Sequence, residues 1–171
     1  MKEFDLVIVG GSAAGAQAAI VAQRQYQLKS ILVIRQEDKV MVPCGIPYIY
    51  GTLGAVDSNI MPDTILGDAN LLVDKVISVD PDKQVVTTAG GEKIGYKKLI
   101  LATGSIPIVP PIRGIDLDNV FCIRQEAEYL HYMGEAMDKA GHVVIIGGGF
   151  IGVEFADECR KRGLDVSNGE H

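Results

Sequence analysis

No apolar run in this 171-residue chain approaches the ~18 residues needed to span a bilayer, and the Met-Lys-Glu-Phe-Asp start puts charges where a signal peptide needs an apolar centre. The sequence therefore predicts neither a membrane partner nor export, and a cytoplasmic location is the expectation. Basic residues are in short supply: 16 Lys and Arg face 22 Asp and Glu, for a net charge of −6. They are also scattered, the densest group being Arg160, Lys161 and Arg162, so the clustered cations that neutralise phosphates are missing and no nucleic-acid partner is expected. Cysteine is scarce too. Cys44, Cys122 and Cys159 form an odd set without Cys-x-x-Cys spacing, which points to neither a disulfide framework nor a zinc site and leaves any sulfur chemistry to one thiol.

What is present is an ordinary globular composition, 47% hydrophobic and 22% charged, and a packed core follows. Length alone suggests about one domain of the usual ~100–200 residues, but the order of segments suggests one domain plus the start of another. Phe4–Val9 is a β-branched run ending in Gly10-Gly11, and an Ala-rich helical stretch, Ala13–Gln25, precedes a second strand, Ser30–Ile34. Strand, glycine turn, helix and strand make a βαβ unit with parallel strands. From about Leu71 the pattern becomes strands joined by polar turns. Val76–Val79, Gln84–Thr87 and the Ala89–Glu92 turn read as an antiparallel meander, with Lys98–Ala102 returning as a buried strand. Ile106–Pro111 carries three prolines and reads as a connector. Gln125–Lys139 looks helical, with Leu130, Met133 and Met137 spaced for core packing. The opening pattern then repeats 137 residues on: His142–Ile146, Gly147-Gly-Gly149, a helix through Arg162, and Gly163–Val166 entering another strand. The expected fold is α/β: a Rossmann-like domain over 1–110, with a parallel sheet plus antiparallel meander, then a linker and the start of a second Rossmann-like domain over 111–171.

The repeat carries the chemistry. In Gly-x-Gly-x-x-Gly the first glycine permits a tight turn, the second lets a pyrophosphate approach the backbone, and the third lets helix and strand pack closely. The helix N-terminus then directs free N–H groups and its positive dipole end at the phosphates. Gly147, Gly149 and Gly152 match fully; Gly10, Ser12 and Gly15 match with a small serine in the middle. Glycine turns of this kind also arise for steric reasons alone, but two copies, each after an apolar strand and before a helix, favour two dinucleotide sites. The acid expected on a ribose at the end of the second strand is replaced by Arg35, with Glu37 the nearest carboxylate. Arg35 is open to three readings: stacking on adenine, facing a phosphate, or a solvated strand end. The same register in the second copy lands on Glu170, after a Ser167-Asn-Gly169 stretch that is poor strand sequence.

Cys44 lies between Pro43 and Gly45, and Ile46–Tyr50 has the makings of a helix that would place Cys44 at its N-terminus, where the dipole favours thiolate. Against this stands an inert thiol, the reading that suits Cys122 in the apolar strand Val120–Ile123 and Cys159 in a helix.

Val7–Gly15, Cys44–Tyr48, Leu99–Pro107 and Val144–Glu154, in that order, resemble the successive signatures of FAD-dependent pyridine nucleotide-disulfide oxidoreductases. The single Cys44 resembles the branch of coenzyme A-disulfide reductases and NADH oxidases or peroxidases, and the resemblance spans Phe4–Val166. It implies FAD along the first unit, with Gly10, Ser12, Ala13, Ala14 and Gly15 at the pyrophosphate, Arg35 near the adenosine end and Val76 at the adenine. Ala102, Thr103 and Gly104 would close over it. NADH or NADPH would use Gly147, Gly149, Phe150, Ile151 and Gly152, with Glu154 near the nicotinamide. Electrons would pass from NAD(P)H through flavin to Cys44, and on to a small disulfide, polysulfide, peroxide or oxygen. Arg24 resembles a coenzyme A phosphate contact, or is a surface arginine. Members of the family run to more than twice this length and are homodimeric, returning to the FAD domain and adding a dimerisation domain. The chain is thus expected to be a truncated member, and the alternative to an enzyme is a non-catalytic FAD-binding fragment that needs the missing domains or a partner chain.

Overall fold

β1 (Lys2–Val9) owes its place to being apolar on both sides: Leu6, Val7, Ile8 and Val9 are all buried. Leu6 and Ile8 face Ala16, Ala19 and Ala22 of α1 (Ala13–Arg24), with Ile31 and Val33 of β2 (Ile31–Arg35), while Val7 and Val9 join Leu32, Ile34, Val86, Ile94 and Tyr96 on the opposite face. Small residues along one side of α1 let it lie close to the sheet. Each buried Val, Leu or Ile contributes roughly 1.5–3 kcal/mol, so this strand is the stabilising centre of its unit.

The computed structural model describes residues 1–169, and it divides into two compact units. The first comprises 1–40 and 61–105; the second comprises 41–60 and 106–171, so the segment bearing Cys44 groups with the later part of the chain rather than with the rest of residues 1–110. The first unit holds a six-stranded sheet in the order β3 (Asn70–Val73), β2, β1, β6 (Lys93–Leu101), β5 (Val85–Thr88), β4 (Val76–Asp80). β3, β2, β1 and β6 run parallel, and β6, β5 and β4 form the antiparallel meander expected from the sequence. The sequence reading did not foresee β3 as a parallel partner of β2; at four residues and partly exposed, it has too little patterning to be seen. β6 is a strand but is not buried to its end, since Leu101 is 62% exposed.

The second unit repeats the theme with β7 (His142–Ile146), α3 (Phe150–Lys161) and β8 (Asp165–Gly169), the strands parallel and in register from His142 opposite Asp165 to Ile146 opposite Gly169. β8 thus continues through Ser167, Asn168 and Gly169 despite their poor propensity, because backbone pairing with the apolar β7 outweighs it. α2 (Ala127–Asp138) buries Leu130, Met133 and Met137 as predicted, against Ile49, Tyr50, Phe155 and Cys159. Val120–Ile123 is not a strand. No strand among the described residues pairs with it, and Phe121 instead meets the rings of Tyr129 and Tyr132, centroids 6.0 and 5.6 Å away. Glu170 lies outside the described residues.

Candidate cofactor-binding site

The two glycine turns are built by the same contact. Gly10 takes φ +109° and Gly147 φ +126°, a region closed to side chains in practice, and each sends its N–H to the end of the neighbouring strand: Gly10 to Ile34 O at 2.7 Å, Gly147 to Gly169 O at 2.9 Å. At Gly15 a Cβ would stand 1.9 Å from Gly10 O, and at Gly152 it would stand 1.9 Å from Gly147 O. The third glycine of each motif is therefore obligatory, because the helix begins directly under the turn. The first helical bonds are Ala16 N–H to Ser12 O (2.9 Å) and Val153 N–H to Gly149 O (3.1 Å), so the N–H groups of residues 13–15 and 150–152 precede the ladder. Ala13, Ala14, Gly149, Phe150 and Ile151 are exposed. Nothing lies within 4 Å of a Cβ placed on Gly149, which leaves its backbone open to close approach. Both cradles fit a diphosphate.

Around the first cradle the sheet gathers further predicted residues. A Cβ on Gly10 would lie 2.0 Å from Ala102 O, and Ala102 donates its N–H to Val9 O at 2.7 Å, which brings the Ala102-Thr103-Gly104 turn alongside Gly10. Thr103 and Gly104 are exposed, and Gly104 takes φ +70°. Val76, at the start of β4, packs in the cluster that contains Val9 and Ile34.

Arg35 is not a solvated strand end. It is 4% exposed, its stem lies against Gly11, and its fork is engaged by protein oxygens: Nη1 donates to Asp63 Oδ1 at 2.6 Å, Nε to Glu37 O at 2.8 Å and Nη2 to Asp38 O at 2.6 Å. Asp63, 28 residues away in sequence, carried no local signal that would have identified it.

In the second cradle Glu154 is exposed on α3, four residues past Phe150. Glu158, one turn further, is 1% exposed and was not foreseen. Its carboxylate accepts from Thr52 N (2.6 Å), Thr52 Oγ1 (2.9 Å) and Lys161 Nζ (2.7 Å). Burial opposes its ionisation, but these hydrogen bonds outweigh burial and hold its pKa below the ordinary value. Gly51 makes the approach possible, since a Cβ there would stand 2.5 Å from Glu158 Oε2.

Cys44 sits in the second unit, exposed, in a three-residue 3₁₀ turn, Pro43–Gly45, followed by another over Pro47–Tyr50. The helix expected there does not form: the chain makes two separate 3₁₀ turns, which close at Ile46 and at Gly51. The dipole argument for a reactive Cys44 therefore falls. Cys159 is buried, and burial raises its pKa, as befits an inert thiol. Arg24 lies in the last turn of α1. Among the described residues no group of three or more His, Cys, Asp or Glu could hold a metal, and no helix is long and apolar enough to cross a membrane.

Residues 4–168 match the family model described as pyridine nucleotide-disulphide oxidoreductase. The chain is 34% identical over 174 residues to an NADH oxidase of Methanocaldococcus jannaschii, covering 94% of this chain and 38% of that protein. It is also 34% identical over 171 residues to an NAD(P)H coenzyme A polysulfide/persulfide reductase of Pyrococcus horikoshii, covering 95% and 38%. The solved structure of an NAD-dependent persulfide reductase from A. fulgidus superposes with TM-score 0.81 at 30% identity, over 96% of this chain and 33% of that one. A structure of a water-forming NADH oxidase from Lactobacillus brevis bound to NADH superposes with TM-score 0.80 at 25% identity, over 99% and 40%. The chain thus spans little more than a third of the length of these curated relatives.

Proposed function

Because the chain belongs to the pyridine nucleotide-disulphide oxidoreductase family, we propose that it carries the two dinucleotide cradles of an NAD(P)H-dependent flavin oxidoreductase. The observation that supports this best is the doubled turn, in which a Cβ on the third glycine would stand 1.9 Å from the first glycine's carbonyl oxygen in both copies. In this reading Gly10, Ser12, Ala13, Ala14 and Gly15 hold the FAD pyrophosphate, and Ala102, Thr103 and Gly104 close beside it. Arg35, fixed by Asp63, borders the adenosine end, with Val76 toward the adenine. Gly147, Gly149, Phe150, Ile151 and Gly152 receive NADH or NADPH, and Glu154 lies toward the nicotinamide. Bound FAD supplies the capacity to accept a hydride equivalent and give it up as an electron pair.

The chain's own residues supply binding and orientation. The N–H groups of 13–15 and 150–152, with the helix dipoles behind them, favour the anionic diphosphates by about 0.3–1 kcal/mol per exposed charge. Cys44 offers an exposed thiol on a glycine-flanked turn, accessible to a small acceptor. Relatives named for oxygen-consuming and persulfide-reducing activities favour oxygen or a sulfur–sulfur species as that acceptor.

The test is spectroscopic. Protein refolded with FAD is expected to be yellow and to melt at a higher temperature than without it; a colourless protein with no flavin-dependent shift overturns the reading. Addition of NADH is expected to bleach the flavin, and a Cys44→Ser variant to lose the long-wavelength band that a thiolate against flavin produces on reduction. An unchanged reduced spectrum in that variant removes Cys44 from the electron path.

A further inference from the structure

Asn59 is one of four buried polar or charged residues among those described, 4% exposed, and its side chain lies against the turn that carries Cys44, with a further weak contact from Nδ2 to Met41 Sδ at 4.0 Å. Its Nδ2 donates to Val42 O at 2.9 Å, and its own main-chain oxygen accepts from Val42 N at 3.0 Å. Val42 O also accepts the N–H of Gly45 at 2.9 Å, so one carbonyl ties the residue two before Cys44 to the residue after it and to Asn59. On the other side of the thiol the carboxamide turns its oxygen toward Gly45. A Cβ there would stand 1.9 Å from Asn59 Oδ1, 2.8 Å from Cγ and 3.2 Å from Nδ2, so Asn59 occupies the space that any side chain at 45 would need. An isolated antiparallel bridge between Met41 and Ile60 places Asn59 at this spot from the backbone.

We propose that Asn59 is the positioning residue for Cys44: its carboxamide clamps Val42 and Gly45 and so sets where the exposed thiol of the intervening turn points. The inference rests on the reading of Cys44 as the redox sulfur. A three-residue 3₁₀ turn has one or two backbone bonds of its own, and the Gly45–Val42 and Ile46–Pro43 bonds (2.9 and 3.3 Å) leave it free to open. A buried side-chain amide bonded to the turn's entry carbonyl removes that freedom. The clamp also explains Gly45 without appeal to φ, since its requirement is space for Asn59.

Site-resolved alkylation tests the clamp. Cys44, Cys122 and Cys159 are reacted with iodoacetamide over a range of pH and quantified separately by mass spectrometry in the native chain and in Asn59→Asp, Asn59→Ala and Gly45→Ala, with Gln27→Glu, in the other compact unit, as a charge control. Asn59→Asp keeps the shape, removes the Nδ2 donor and adds a negative charge beside the turn. It is expected to move the Cys44 rate profile to higher pH and slow its reaction near neutrality by about three- to tenfold, with Cys122 and Cys159 unchanged. Asn59→Ala and Gly45→Ala are expected to change the Cys44 rate several-fold while the other two thiols keep theirs. A Cys44 profile that coincides with the native one in all three variants overturns the proposal. So does an equal change at all three cysteines, which marks Asn59 as a general packing residue. Alkylation needs neither flavin nor NAD(P)H, so a failure here is distinct from an unchanged reduced spectrum in Cys44→Ser, which would refute the redox reading alone.

Discussion

The two βαβ units have the same turn and different surroundings. β1 is flanked by β2 and β6 and buries Leu6, Val7, Ile8 and Val9 on both faces; β7 is paired with β8, and its residues alternate, Val143 and Ile145 half-buried, Val144 62% and Ile146 58% exposed. Both strands are apolar in sequence. The glycine geometry is thus set locally, by the contact of helix on turn, whereas burial of the strand depends on what lies against it. Phe150 and Ile151, exposed at the mouth of the second turn, underline this, because Ala13 and Ala14 hold the same places in the first.

The strongest test of a shared turn is a side chain at its third glycine. Gly15→Val and Gly152→Val are each expected to lower the stability of their own unit by more than about 4 kcal/mol, read as loss of one phase in urea unfolding followed by circular dichroism. A silent Gly152→Val beside a disruptive Gly15→Val would break the equivalence. The strands should then separate: Ile8→Ala is expected to cost about 3 kcal/mol and Val144→Ala about 0.5 kcal/mol or less, in the same unfolding measurement. Equal costs would mean that β7 is covered in solution. Arg35→Met probes the first unit alone and is expected to cost about 1–2 kcal/mol through its lost bonds to Asp63 and the Glu37 and Asp38 carbonyls.

The smallest effect concerns acid. Glu158 is the buried carboxylate of the second unit, and its folded pKa lies below the ordinary 4.5. A depressed acid contributes stability that is present above about pH 4.5 and lost as pH falls through the folded value. The second unit is therefore expected to loosen below pH 4.5, and Glu158→Gln to flatten that dependence, as read from the near-ultraviolet dichroism of the Tyr50–Phe155 pair. In the first unit Asp5, Asp74 and Asp80 are also held below the usual carboxylate range, each by hydrogen bonds at the surface, with Lys97, Thr88 and Lys83 respectively as the leading partner. The parts that the Lys97 and Lys83 charges contribute at Asp5 and Asp80 are expected to fade with added salt, while Asp74, held by neutral donors, and buried Glu158 keep theirs.

Local pattern made the two turns, α1, the β4–β6 meander and the stripe of α2 legible, because glycine spacing and apolar period report on contacts within a few residues. Long-range pairing did not show. Asp63 finds Arg35 across 28 residues and Thr52 finds Glu158 across 106, and neither pair has a periodicity to read. The apolar Val120–Ile123 looked like a strand because propensity says nothing about a partner, and Ser167–Gly169 looked unfit for one although β7 supplies it. At Cys44 the run Ile46–Tyr50 has helix-like sequence, yet it folds as a short 3₁₀ turn separate from Pro43–Gly45, a distinction that local pattern does not carry.

The outward face of β7 also bears on the lifetime of the protein. Chaperones and proteases bind exposed apolar surface, and Val144, Ile146, Phe150, Ile151 and Val153 present five such side chains on one repeat, while the corresponding strand of the first unit presents none from Leu6 to Val9. A substitution in the second unit that leaves the chemistry untouched is therefore expected to change how readily this chain is captured by chaperones or proteases.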